Sequence, residues 1–197
     1  MRVIKLPLGY WKNGRMVVPI LSTDRLILRP WDSQQDAPGA FAIYGDPQVA
    51  CWIGDGQALP TVAAVAQRLE RDRQRFGERN AMGSWAVVDR RSQEILGNVL
   101  LVPLPDAQGQ RQGSEMEIGW HFRRSHWGQG YAQEAAQAAI DHGFWGWGLP
   151  CIQAVILPSN RRSLNLAQSL GFQFRGITSA YYDRELCLFE RRRGDRL

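Results

Sequence analysis

The stretch "EIGWHFRRSHWGQGYAQEA", residues 117–135, joins a strand-like alternation to a helical pattern through two glycines that stand one residue apart. In the strand part, one face carries Met116, Ile118, Trp120 and Phe122, and the other carries Glu115, Glu117, Gly119 and His121. A Gly-x-Gly at the start of a helix can present several backbone N–H groups to an anion. An ordinary tight turn explains the same two glycines, so the loop alone leaves both interpretations open.

Two common phosphate-binding loops do not fit these glycines. A dinucleotide fingerprint needs glycine or alanine where Gln133 stands, and no acidic residue is placed to bind a ribose. The run G-x-x-x-x-G-K-[ST] does not occur in the chain. The remaining interpretation is a strand, then the basic residues Arg123 and Arg124, then Gly128 and Gly130, which allow a pyrophosphate to approach a helix N-terminus.

The periodicity of the whole chain predicts a mixed α/β sheet. Residues 25–30 read as the first central strand, residues 32–46 as a weak helix, and residues 61–76 as a strong amphipathic helix with Thr61 as its N-cap. Strands beginning near Gly83, Glu94 and Ser114 predict an antiparallel meander. A helix from Tyr131, a strand from Cys151, a helix capped by Asn160 and two last strands complete the order. The helix between the strands at 114–122 and 151–157 implies a parallel crossover.

Composition limits the function classes. The 197 residues, 44% of them hydrophobic, suffice for one domain with a normal core. A net charge of +5 permits an anionic ligand or partner, although the charged tail at 190–196 contributes to it. Three widely spaced cysteines predict neither a disulfide framework nor a metal site. The chain shows no signal peptide and no membrane span, so we expect a cytoplasmic protein.

The N-terminus is predicted to be a separate small element. Asn13-Gly14 lies between two strand-like pieces and is typical of a type I′ hairpin turn. We therefore divide the chain into an N-terminal arm or hairpin, residues 1–21, and a single domain, residues 22–197.

The stretch from 117 to 135 resembles motif A of the Gcn5-related N-acetyltransferases (GNAT), and most closely their RimJ/RimL-type branch. Further segments resemble that branch in the same order: "TDRLILRPW" from Thr23, "GDPQVACWIGDG" from Gly45, and "LPSNRRSLNLAQSLGFQFRG" from Leu157. The resemblance covers roughly residues 22–190. It differs at Ser125, where the wider superfamily often has arginine or glutamine, and Arg123 and Arg124 are the candidates to supply that charge.

The resemblance implies the GNAT fold, an α/β fold of the α+β kind. It has a mixed, mostly antiparallel central sheet flanked by helices, with a V-shaped splay between the motif-A strand and its parallel neighbour. It also implies acetyl-CoA as co-substrate and no metal. The residues expected to bind acetyl-CoA are His121, Phe122, Arg123, Arg124, Ser125, Trp127, Gly128, Gln129, Gly130, Tyr131, Ala132, Asn160 and Ser163.

Two catalytic roles follow from the same resemblance: Asn160 would bind the pantetheine arm, and Ser163 would protonate the leaving thiolate. Glu117 lies on the strand face opposite the apolar stripe and is the candidate to accept the amine proton, directly or through water. Glu115 and Asp183 are rival bases. For His121 we expect a packing or backbone role, and for His126 and His142 a place on the loop surface and in the helix. Trp52 is a candidate wall of the acceptor site, whereas the tryptophans expected in the core are Trp85, Trp120, Trp145 and Trp147.

The predicted reaction is direct attack of a primary amine on acetyl-CoA in a ternary complex, without a covalent enzyme intermediate. The resemblance to the RimJ/RimL-type branch implies a protein N-terminal α-amine as the favoured acceptor. An α-amine, with a pKa of ~7.7–8.0 against ~10.4 for lysine, also needs less help to become neutral. Alternatives are a small amine or antibiotic, or a non-catalytic CoA-binding or ribosome-associated module. We expect a monomer or homodimer that does not associate with membranes, and we find no direct nucleic-acid motif.

Overall fold

The computed structural model describes residues 11–12, 15–16, 18–77, 83–110 and 115–195. The strands are β1 Trp11–Lys12, β2 Arg15–Met16, β3 Leu21–Ser22, β4 Leu26–Pro30, β5 Gly83–Asp89, β6 Ile95–Pro103, β7 Met116–Phe122, β8 Cys151–Ile156, β9 Gln173–Thr178 and β10 Leu186–Arg192. The α-helices are α1 Ala37–Tyr44, α2 Pro47–Ala50, α3 Val62–Gly77, α4 Tyr131–Asp141 and α5 Arg161–Ser169. A 3₁₀ turn covers Arg124–His126, and a π-helical turn covers His142–Gly146.

Strands β3 to β10 form one eight-stranded sheet in the order β3-β4-β5-β6-β7-β8-β10-β9. The predicted meander of β5, β6 and β7 is antiparallel, and β7 and β8 are parallel across the α4 crossover. Both features confirm the mixed sheet expected from the sequence. Strand β4 lies one position from the edge rather than in the centre, because the short strand β3, which the sequence pattern did not reveal, pairs outside it.

The parallel pair of strands separates almost as soon as it forms. Glu117 opposite Gln153 is the registered position between β7 and β8, whereas β7 pairs with β6 along its whole length. Beyond Glu117 the two strands diverge, which is the V-shaped splay expected of the fold. The gap lies at the carboxyl end of β7, where the glycine loop begins.

Two apolar clusters cover the two faces of the sheet. Alternating residues of β5 divide between them: Trp85 and Val87 join the cluster under α4, and Ala86 and Val88 join the cluster under α1 and α3. Helix α3 follows its predicted amphipathic pattern, and the hydroxyl of Thr61 accepts a hydrogen bond from the Ala64 N–H at 3.1 Å, which confirms the N-cap.

The tryptophan predictions need a correction at Trp145. Trp85 is fully buried, as predicted, but the side chain of Trp145 is 70% exposed and is not part of the core. Helix α4 changes to the π-helical turn after Asp141, and this change of pitch alters which side chains face the sheet. Within that turn Phe144 is buried instead.

The N-terminal strands β1 and β2 pair antiparallel, with Trp11 opposite Met16. The turn residues Asn13 and Gly14 lie outside the described residues, so the turn type stays a prediction. The segment that follows contacts the domain, because the Pro19 carbonyl accepts a hydrogen bond from Trp85 Nε1 at 2.8 Å. None of the helices in the described ranges has the length and apolarity required to cross a membrane.

Candidate active site

The glycine loop offers a row of unused backbone donors. Gly128 and Gly130 have φ angles of +75° and +79°, in the left-handed region that a side chain disfavours. Within the described part of the chain, the backbone N–H groups from Gly128 to Gln133 meet no hydrogen-bond acceptor. They combine a loop and the first turn of α4, where the helix dipole favours an anion.

Arg25, the residue immediately before β4, contacts this loop and the first turn of α4 through its side chain. Its Nη1 donates to the Gln129 carbonyl at 3.1 Å, its Nε lies 2.6 Å from Glu134 Oε2, and its guanidinium lies 4.3 Å from the centre of the Tyr131 ring. Sequence reasoning did not assign Arg25 to the site, because more than 100 residues separate it from the loop. The contacts hold the loop in the conformation that exposes its N–H groups.

The two arginines before the loop are engaged elsewhere. Arg123 forms an ion pair with Glu94, and Arg124 lies 3.2 Å from Asp46. Neither side chain lines the cleft beside the loop. Arg162 on α5, by contrast, does line that cleft, and its guanidinium stacks 4.7 Å from the centre of the Trp127 ring.

The splayed end of β7 turns backbone groups toward the gap. Arg123 N–H donates to the Leu96 carbonyl, which fixes the antiparallel alternation and directs the N–H groups of Trp120 and Phe122 away from β6. Registered pairing with β8 has ended by then. The Phe122 carbonyl accepts a hydrogen bond from Trp127 Nε1 at 2.8 Å, which ties the loop to this strand end.

A cleft of about 470 Å³ runs from the gap to the glycine loop. Its lining includes most residues predicted to bind acetyl-CoA: His121, Phe122, Trp127, Gly128, Gly130, Tyr131, Ala132, Asn160 and Ser163. Of the other predicted residues, Arg123, Arg124, Ser125 and Gln129 are absent from the lining. Ser125 bonds to His126 instead, and Gln129 donates back to the Ser125 carbonyl.

Helix α5 brings Asn160 and Ser163 to the gap. The Asn160 Oδ1 accepts from the Ser163 backbone N–H at 3.2 Å, so the N-cap is confirmed and the Nδ2 donors remain for other contacts. Trp120 Nε1 donates to Ser163 Oγ at 3.3 Å. Since the indole can only donate, it leaves the serine proton available to a third group. Trp120, which was expected in the core, is half-buried: it packs against the core cluster and also lines the cleft.

A second cleft of about 680 Å³ opens on the opposite side of the gap. Both clefts are lined by Trp52, Ile53, Trp120, His121, Asn160 and Ser163. The two spaces therefore meet where β7 and β8 separate, and a molecule in one can contact a molecule in the other. Trp52 stands at this junction, where the sequence predicted an aromatic wall.

Glu117 is the predicted base that reaches the second cleft. It is 8% exposed, and Tyr182 donates a hydrogen bond to its carboxylate. Tyr182 and Asp183 have positive φ angles of 58° and 51°, which mark an unusual turn between β9 and β10. The rival bases do not line either cleft: Glu115 accepts from Tyr181, and Asp183 is exposed. Sequence reasoning missed Tyr182.

His121 has one defined tautomer. Trp31 Nε1 donates to Asn98 Oδ1 at 2.9 Å, so Asn98 Nδ2 is the atom that lies 3.4 Å from His121 Nδ1 and donates to it. Desolvation, together with the nearby charge of Arg68, lowers the pKa of His121 to about 3. The imidazole is therefore neutral at pH 7 with its proton on Nε2, which makes it a donor and supports a role other than base.

The positions of the three cysteines do not suit a catalytic role in the two clefts. None of Cys51, Cys151 and Cys187 lines either of the two clefts in the described structure. Burial raises the pKa of the Cys151 thiol to about 11, which keeps it protonated.

Comparison with known proteins decides the family. The family model described as "Acetyltransferase (GNAT) domain" matches residues 25–173. The chain belongs to the GNAT acetyltransferase family. The matched residues span the splayed strands, the glycine loop, α4 and α5. All residues that line the first cleft therefore lie within the acetyltransferase domain.

Relatives of this GNAT acetyltransferase agree with the assignment. It is 31% identical over 176 residues to the Bacillus subtilis protein YkkB, covering 87% of this chain and 95% of that one. It is 30% identical over 163 residues to the B. subtilis N-acetyltransferase YoaA, covering 83% and 88%. The fold matches the crystal structure of the ribosomal-protein-S5-alanine acetyltransferase from Vibrio fischeri, with a TM-score of 0.67 and 19% identity over 90% of this chain and 98% of that one.

Proposed function

We propose that the GNAT acetyltransferase transfers an acetyl group from acetyl-CoA to an α-amine at a protein N-terminus, by direct attack in a ternary complex. The observation that carries the proposal is the pair of clefts that meet at the splayed end of β7. Two substrates that enter from opposite sides are held in contact there, which supplies much of the rate gain in a bimolecular transfer.

The first cleft fits the chemistry of coenzyme A. Its unused N–H groups at Gly128–Gln133 and the charge of Arg162 suit a pyrophosphate, and the strand edge at Trp120 and Phe122 suits the amide groups of a pantetheine arm. When bound, acetyl-CoA supplies the activated acetyl thioester. Asn160 Nδ2 would donate to the arm, and Ser163 would donate its proton to the departing sulfur, with Trp120 Nε1 holding the hydroxyl in that orientation.

Glu117 is proposed to take the amine proton, directly or through water. Tyr182 orients its carboxylate at the border of the second cleft. A carboxylate has a pKa far below that of an amine, so it acts on an amine that is already partly neutral. An α-amine meets this requirement near neutral pH better than a lysine side chain does.

The protein N-terminus as acceptor also agrees with the fold likeness to the V. fischeri ribosomal-protein-S5-alanine acetyltransferase, and with the RimJ/RimL-type motifs. A small amine or antibiotic is the second candidate, because the second cleft is large enough to enclose one. The cytoplasmic location and the choice of monomer or homodimer stay predictions from the sequence.

The acceptor is tested with two versions of one peptide, Ser-Ala-Ala-Lys-Ala, one with a free N-terminus and one with a formyl-blocked N-terminus. After incubation with acetyl-CoA, mass spectrometry of fragments locates the acetyl group. We expect acetylation of the free α-amine and none of the blocked peptide. Acetylation of lysine in both peptides, or of small amines alone, would contradict the proposed acceptor.

A further inference from the structure

The second cleft carries more positive than negative side chains among its described lining residues. The arginines are Arg68, Arg71, Arg75 and Arg184, and the carboxylates are Asp55, Asp72 and Glu117. An amine alone would be attracted to carboxylates and repelled by this excess of guanidinium groups. The charge balance therefore suggests an acceptor that brings a negative group of its own.

Arg68 is the arginine whose hydrogen bonding is incomplete. Its Nε is buried and has no hydrogen-bond acceptor in the described structure, and the nearest carboxylate oxygen, on Asp72, lies 3.7 Å away. A buried polar atom without a partner is uncommon and calls for an explanation. The guanidinium is held in place by its stacking on Tyr44, 4.5 Å from the ring centre.

His121 places a second donor beside Arg68. Its ring contacts the same Tyr44 ring edge-on, with the centroids 5.9 Å apart. The bonds from Trp31 to Asn98 and from Asn98 to His121 leave the imidazole proton on Nε2. Two neighbouring donors, one charged and one neutral, form a suitable site for a carboxylate.

Glu117 and His121 lie on the same face of β7, four residues and so roughly 13 Å apart, with Gly119 between them. We propose that the second cleft binds an acceptor that carries both an amine and a carboxylate: the carboxylate contacts the exposed part of the Arg68 guanidinium and His121, and the amine lies toward Glu117. This inference rests on the proposed transferase function and specifies its substrate class. The length of the strand face requires amine and carboxylate to stand several bonds apart.

The side chains beside the site favour a carboxylate over a phosphate. Asp72 lies close to Arg68 and already balances part of its charge. A dianionic phosphate would face this carboxylate, whereas a singly charged group meets less repulsion. The carboxylate has two sources, an acidic side chain next to a peptide N-terminus or a small amino acid with a long spacer.

The experiment compares each carboxylate with its uncharged amide. The peptide pair is Ser-Asp-Ala-Ala and Ser-Asn-Ala-Ala, both with amidated C-termini, and the small pair is 6-aminohexanoate and 6-aminohexanamide. We expect the carboxylate member of at least one pair to have a kcat/KM about tenfold higher. Preference in the first pair identifies a peptide, and preference in the second identifies a small molecule.

Two variants on helix α3 assign the effect to Arg68. R68Q removes the proposed contact, and R73Q removes a charge on the same helix from a residue that does not line the second cleft. We expect R68Q to reduce the preference to about twofold or less and R73Q to retain it. Equal kcat/KM for carboxylate and amide in both pairs, with turnover present, overturns the inference.

Failure of the proposed transferase function can be distinguished from failure of this inference. If none of the four acceptors is acetylated, calorimetric titration of the CoA-saturated wild-type protein with each compound still measures binding without turnover. Tighter binding of a carboxylate than of its amide supports the anion site although the function proposed for it fails. Absence of any difference in that titration overturns the inference as well.

Discussion

Tyr182 donates a hydrogen bond to the carboxylate of Glu117, although 65 residues separate the two in the chain. The bond joins the β9–β10 turn to the motif-A strand at the border of the second cleft. Tyr181, its neighbour, bonds to Glu115 in the same way at 3.3 Å. A two-point attachment thus positions the carboxylate that is proposed to accept the amine proton.

Replacing Glu117 with glutamine is expected to lower kcat/KM about 100-fold, because the amide cannot accept the amine proton. Y182F removes the phenolic bond but keeps the carboxylate, so we expect a smaller loss of about tenfold at unchanged acetyl-CoA affinity. Steady-state kinetics at several pH values, with calorimetric binding of acetyl-CoA, measure both effects. Unchanged turnover in E117Q would remove Glu117 from the reaction.

Ser163 is expected to matter for turnover more than for binding. S163A should lower kcat by about 10- to 100-fold, at or below the lower limit of the usual range for general acids, since a thiolate is a good leaving group. S169A, on the exposed side of the same helix, is the matched control and should leave kcat unchanged. If S163A and S169A behave alike, the serine is only part of the cleft wall. Retained CoA binding with turnover lost would also exclude the non-catalytic module.

Arg162 is expected to bind the acetyl-CoA phosphates. R162Q should raise the KM for acetyl-CoA about fivefold, matching ~1 kcal/mol for an exposed ion pair, and should weaken the dependence of KM on salt. R161Q changes the neighbouring residue, which does not line the cleft, and should leave KM unchanged. Equal effects of the two substitutions would show that net charge, and not a specific contact, governs binding.

The lowered pKa of His121 predicts that the folded protein loses stability at acidic pH. Between about pH 3 and 6.5 the imidazole binds its proton in the unfolded chain but not in the folded protein, so the free energy of unfolding falls as pH decreases through that range. Urea unfolding at pH 5 and 7.5 measures this decrease in the free energy of unfolding. In H121Q we expect the decrease to be smaller by on the order of 1–2 kcal/mol. The same pH dependence in both proteins would contradict the burial of a neutral histidine.

Local motifs allowed much of the site to be predicted from the sequence. The glycine loop consists of backbone groups in one short segment, and Asn160 and Ser163 lie on a single helical turn. A short stretch of sequence was therefore enough to predict each of them. The meander and the parallel crossover followed from periodicity and from the position of α4.

Contacts between distant segments could not be predicted in this way. Arg68 sits on an amphipathic helix among other charged residues, and only the fold shows that it faces His121 and Tyr44. Arg123 and Arg124 looked suited to phosphate, but Glu94 and Asp46 reach them from elsewhere in the chain. Trp145 was expected in the core as a large apolar residue, but it lies in the π-helical turn with its side chain on the surface.

The measurement that tests the central claim most directly is calorimetric titration of the wild-type protein with acetyl-CoA, CoA, NAD and ATP, and of G130A with acetyl-CoA. Gly130 has a φ of +79°, so an alanine there strains the loop that presents the N–H groups. We predict an acetyl-CoA Kd on the order of micromolar for the wild type, no comparable binding of NAD or ATP, and about tenfold weaker acetyl-CoA binding to G130A. Absence of acetyl-CoA binding to the wild type would contradict the assignment of the first cleft and the mechanism built on it.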